Sequence, residues 1–136
     1  MRQFISLCAF LIPLALLTGC NAGPALAPVT GVLTYKGKAL GNVHLDFYPE
    51  NGGRPSWGQT DSEGKFALEW DKDNKGALIG KHKVFAKMGF AGQKIPGENP
   101  IPSKELAEFF DKFSATNSKI VVEITASTKE ITLAWD

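Results

Sequence analysis

The sequence predicts an all-β fold, an antiparallel sandwich of about seven short strands with one short helix before the last two. Three observations carry this. Apolar and polar residues alternate at period two in six separate segments, turn-forming Gly, Pro, Asn and Asp punctuate the intervals and mark out a seventh strand, and a single segment switches to helical spacing. Both cysteines, Cys8 and Cys20, precede the patterned region, so hydrophobic burial and not a disulfide must hold the domain together.

The strands follow in order. Val29, Gly31, Leu33 and Tyr35 alternate with Thr30, Val32 and Thr34, and Lys36-Gly37-Lys38 turns the chain. Val43, Leu45 and Phe47 repeat the pattern, so these two segments are expected to form a first hairpin. Asn51-Gly52-Gly53 marks a turn, because Asn and Gly tolerate positive φ, and Pro55 assigns the next strand, 54–60, to a sheet edge. After the turn Asp61-Ser62-Glu63-Gly64, residues Phe66, Leu68 and Trp70 face one way. Residues 81–88 place Val84, Ala86 and Met88 on one side. Segments 119–125 and 129–135 bury Ile120, Val122 and Ile124, then Ile131, Leu133 and Trp135.

Residues 104–113 break the alternation. Leu106, Phe109, Phe110 and Phe113 stand at i, i+3, i+4 and i+7 behind Pro102-Ser103, which is the stripe of a short helix laid over an open end of the sandwich or offered to a partner. The preceding stretch, 89–102, holds three Gly and three Pro and reads as a long irregular loop.

The first residues follow a different plan. Met1-Arg2 gives a basic start, Phe4 to Leu17 is almost wholly apolar, and the run is too short for a span of about 20 residues. Leu17-Thr18-Gly19-Cys20 resembles the lipobox of bacterial lipoproteins. The resemblance implies removal of residues 1–19 as a signal peptide and diacylglycerol on the Cys20 thiol, a membrane anchor stronger than one acyl chain provides. Residues 20–28 then form a lipidated tether rich in Gly, Ala and Pro, and residues 29–136 form the domain.

Within that domain, the run from Val29 to Leu40, then Val43-His44-Leu45-Asp46-Phe47-Tyr48-Pro49, is similar to the opening of carboxypeptidase regulatory-like domains. Gly58 to Phe66 and Gly80 to Val84 continue the likeness, which covers residues 29 to 88. It implies a transthyretin-like (prealbumin-like) Greek-key sandwich, the fold of small accessory domains in secreted bacterial proteins. These motifs serve turns and core, so the likeness speaks to fold and not to chemistry. An aromatic helix before the last strands departs from the family pattern.

Composition and motifs narrow the function. Fifteen Lys and Arg against fourteen Asp and Glu leave no basic footprint for nucleic acid. Only His44 and His82 are available as bases, and no Gly-x-Ser-x-Gly turn accompanies them. Both imidazoles are expected at the surface. Asp71 to Gly76 looks superficially like a calcium loop, but Lys75 at its fifth position and His82 at its twelfth reject it. Two Tyr and two His match an iron dioxygenase set in number only, without His-x-His spacing. The carboxylate pairs Asp46 with Glu50 and Asp61 with Glu63 are expected to be solvated, and Trp70 and Trp135 to lie in the core.

The expectation is therefore a non-catalytic binding or structural module of the bacterial cell envelope, outside the cytoplasm, with no cofactor and no metal. Its membrane contact is the lipid on Cys20, and its partner is an envelope protein or a glycan. Trp57 on the edge strand, Phe90 in the long loop, and Phe109 and Phe110 on the helix are the candidate contact residues. The alternative is a small envelope hydrolase whose site is dispersed in the sequence. Nothing in the sequence specifies self-association.

Overall fold

A computed structural model describes residues 23–89 and 103–136. Cys20 and Phe90, and with them the anchor and most of the long loop, lie outside these residues. Strands β1 (Leu26–Ala27), β2 (Thr30–Tyr35), β3 (Lys38–Ala39), β4 (Val43–Pro49), β5 (Ser56–Gln59), β6 (Lys65–Ala67), β7 (Ala77–Leu78) and β8 (Gly80–Met88) precede helix α1 (Ser103–Lys112), which is followed by β9 (Val121–Ile124) and β10 (Glu130–Trp135). The fold is all-β, and each strand longer than two residues falls on one of the seven segments expected from the sequence, β6 stopping at Ala67, short of Trp70.

Two four-stranded sheets enclose one core. The first has β2 at its centre, with β10 on one side and β3 and β6 sharing the other; the second runs β5-β4-β8-β9. Leu33, Tyr35, Leu133 and Trp135 from the first sheet meet Val43, Leu45, Phe47, Val84 and Ile124 from the second. Period-two alternation is the direct cause, since it puts every second side chain on the shared face. A small ribbon, β1 with β7, closes one end through the pairs Leu26 with Leu78 and Ala27 with Ala77.

Two expectations about pairing fail. β2 does not form a hairpin with β4. It turns back on β3 through Lys36 and Gly37, both at positive φ (49° and 78°), a two-residue turn whose twist suits a tight hairpin. Leu40 to Asn42 then carries the chain across to the other sheet. The pairing is also not wholly antiparallel, because β10 lies parallel to β2 over six residues, from Thr30 with Glu130 to Tyr35 with Trp135. Gly31 lets this sheet close: a Cβ there would stand 2.5 Å from the Phe66 ring and 2.6 Å from the Ile131 carbonyl oxygen.

Helix α1 covers the end of the sandwich opposite the β1–β7 ribbon. Phe109 is fully buried, with its ring 5.1 Å from Tyr35 and 5.8 Å from Trp135, and Phe113 stacks on Trp135 at 4.3 Å. The Lys36 ammonium, in the β2–β3 turn, donates to Glu105 at 2.9 Å. Beyond the helix, Phe113 O accepts from Ala86 N at 2.8 Å and Ile120 O from Val84 N at 3.0 Å, which seats the chain along β8.

Candidate functional site

The outer face of the second sheet carries the residues with the most chemical character. Alternation that points Val43, Leu45 and Phe47 inward points His44, Asp46 and Tyr48 outward, and β4–β8 register sets Lys87 beside His44 and Phe85 beside Asp46. On the other flank β5 sets Trp57 opposite Asp46. The result is a row Trp57–Asp46–Phe85 across three strands, with Tyr48 against Phe85 at 5.3 Å.

His44 is not the surface imidazole expected. It is buried, its ring lies 5.5 Å from Trp57 at an interplanar angle of 9°, and its Nε2–H donates to Asp46 Oδ1 at 3.0 Å. Lys87 donates to Asp46 Oδ2 at 2.7 Å. Asp46 is therefore paired, not solvated. Burial raises its pKa, but the bonds and charges of His44 and Lys87 together outweigh burial and hold the carboxyl below its ordinary 3.8. The Asp46 carboxylate therefore stays ionised at neutral pH.

Between this face and α1 opens a groove of about 750 Å³. Tyr48, Phe85 and Met88 line it from the sheet and Leu106 and Phe110 from the helix, and the charged pair Asp46 and Lys87 is also part of its lining. Its volume and apolar lining are those of sites that receive small molecules or single large side chains. Met88 is 70% exposed and Tyr48 46%, which leaves the sheet-side wall open to solvent. Met88 belongs by alternation with Val84 and Ala86, but β8 outruns the core at this point.

Of the expected contact residues, Phe110 is half-buried and lines the groove, and Trp57 stands 36% exposed on edge strand β5. Phe109 does not offer a contact surface: its ring is enclosed by Tyr35, Phe113 and Trp135, and a partner would have to displace the helix to reach it. The aromatic stripe serves the core, with Phe110 as its outer margin. Asp46, Tyr48, Phe85 and Lys87 escaped sequence reasoning because their meeting depends on strand register, although the parity of each was visible.

His82 corrects a second expectation. It shares parity with Val84 and Ala86, so it points into the core, fully buried, beside Phe47 at 6.2 Å, and its Nε2–H donates to Leu78 O at 2.7 Å. Its Nδ1 is buried without a hydrogen-bond partner among the described residues. Trp70 is not core either: it is half-buried, with the Arg54 guanidinium 5.7 Å from its ring.

Among the described residues no cluster of three or more His, Cys, Asp or Glu side chains could hold a metal ion, and no helix is long and apolar enough to cross a membrane. Asp71 to Asn74 forms a self-contained turn, with Asp71 Oδ1 accepting from the backbone N–H groups of Asp73 and Asn74 at 2.8 and 2.7 Å. No family model, no curated protein and no solved structure matches the chain.

Proposed function

We propose that the chain is a bacterial envelope lipoprotein, anchored through Cys20, whose domain is a non-catalytic binding module of the carboxypeptidase regulatory-like, transthyretin-like Greek-key type. The groove between α1 and the outer face of β4 and β8 is its contact site. The observation that carries this reading is the groove itself, an open, mostly apolar cleft with one charged pair in its lining. Such a site suits an apolar or aromatic side chain of an envelope protein, flanked by a polar group that meets Asp46 and Lys87.

Photocross-linking in living cells tests this. A photoreactive residue at Phe110 is expected to capture one envelope protein, and Tyr48→Ala with Phe85→Ala is expected to abolish that adduct while leaving the domain folded. Capture that persists in the double variant, or capture of lipid and abundant neighbours alone, refutes the groove as the contact site. Cys20→Ser is expected to abolish incorporation of labelled palmitate and to release the protein from membranes; retention of label refutes the anchor.

One observation favours a glycan as the alternative ligand. The Trp57 ring is held flat against His44 and remains partly exposed on an edge strand, an arrangement that can stack on a sugar ring. Cell-wall fragments would then quench tryptophan fluorescence in the parent chain and not in Trp57→Phe. No response across a panel of fragments rejects it.

A further inference from the structure

The tether is short, and where it joins the fold decides which way the domain faces. Ile79 N donates to Ala25 O at 3.3 Å, and Leu26 and Ala27 pair with β7, so the chain is fixed to the body of the domain from Ala25 onward. Five residue steps separate Cys20 from Ala25. Whatever their conformation, they span no more than about 18 Å.

The end of the sandwich that receives the tether also contains the 49–53 turn and the start of β8. Pro24, Ala25, Asn51 and Ile79 are exposed there, with Ile79 45% exposed. The opposite end holds the β2–β3 turn, the 61–64 turn, the close of β8 and helix α1. Nine-residue β8 runs from one end to the other, a distance of roughly 26 Å at the rise of a strand. That exceeds the tether's whole reach.

We infer that the end bearing Ile79 lies against the lipid surface and that the groove beside α1 faces away from it. This rests on acylation of Cys20, and it adds a second contact to that anchor: the exposed Ile79 and its proline and alanine neighbours meet the headgroup region of the bilayer. An anchor this short excludes an inverted domain that touches the membrane by its opposite end alone, and the contact at Ile79 holds the domain upright, so the Tyr48–Phe85–Phe110 cleft is presented to partners approaching from the aqueous side.

The test uses the full chain, purified with its own anchor and placed in phosphatidylcholine–phosphatidylglycerol vesicles carrying brominated acyl chains. The two cysteines of the chain are Cys8, inside the expected signal, and Cys20; an acylated mature protein therefore has no other thiol. A fluorophore is attached at Ile79→Cys, at Asn51→Cys on the same end, or at Ser62→Cys on the opposite end, all exposed positions. Bromolipid is expected to quench the first two severalfold more than the third. Equal quenching at both ends, or stronger quenching at position 62, overturns the orientation.

Failure of the anchor reads differently. An unsubstituted chain that reacts with maleimide at Cys20 and does not float with vesicles has no lipid, and the orientation falls with it. A chain that floats and resists maleimide, yet quenches equally at both ends, retains the anchor and refutes only the inference.

Discussion

At the scale of single residues, two histidines decide how the second sheet is held. His82 fills space beside Phe47 and spends one ring nitrogen on Leu78 O. His82→Ala is expected to cost about 2–4 kcal/mol, as a cavity in a core does. His82→Leu is expected to cost less, because it keeps the volume and removes a buried nitrogen that has no partner among the described residues. Urea unfolding of the two variants checks the order. Asp46 supplies the pH dependence. Its folded pKa lies below its ordinary 3.8, so its contribution is fully present above that value and is lost as pH falls through the lower, folded one. Asp46→Ala is expected to cost about 1–2 kcal/mol at neutral pH and less in strong acid, read as urea midpoints converging with the parent's below pH 3.8. Parity alone placed His82 inside. The imidazole suggested water, and the preference of a residue type overrode the geometry of the strand. For His44 the local sequence held no such cue, since its neighbours Trp57 and Lys87 arrive from other strands.

At the scale of elements, α1 was legible in both position and spacing. Of four large apolar residues at helical intervals, Phe109 and Phe113 meet Tyr35 and Trp135 at the sandwich end, and Leu106 and Phe110 line the groove. Phe109→Ala is expected to destabilise the domain by about 3–5 kcal/mol. Phe110→Ala is expected to cost much less, because that ring is half-buried at the groove margin. A thermal melt of each variant checks the contrast. β2 is equally constrained. A methyl group at Gly31 would collide with the Phe66 ring and the Ile131 backbone, so Gly31→Ala is expected to destabilise by about 1–3 kcal/mol, by the same assay. The strands themselves were visible in alternation. Their partners were not, because a register between β4, β5 and β8 is set by the whole packed core and not by any one segment.

At the scale of the whole molecule, the least legible feature is the parallel pairing of β2 with β10. Alternation in residues 29–35 and 129–135 marks two strands, but says nothing about their meeting, and short turns elsewhere argued for antiparallel neighbours throughout. Bringing Thr30 to Glu130 closes a loop of nearly the entire domain, so refolding is expected on the millisecond-to-second scale, measurable by stopped-flow tryptophan fluorescence. The same pairing has a consequence for integrity. Residues 23–89 supply β1 to β8, and residues 103–136 supply α1, β9 and β10; each piece contributes strands to both sheets. The β2–β10 and β8–β9 pairings and the Phe109–Trp135–Tyr35 cluster are all made between or within these two pieces. Residues 23–89 and 103–136, expressed as separate chains, are therefore expected to associate and behave as a complementation pair, read as co-elution and recovery of the folded tryptophan signal.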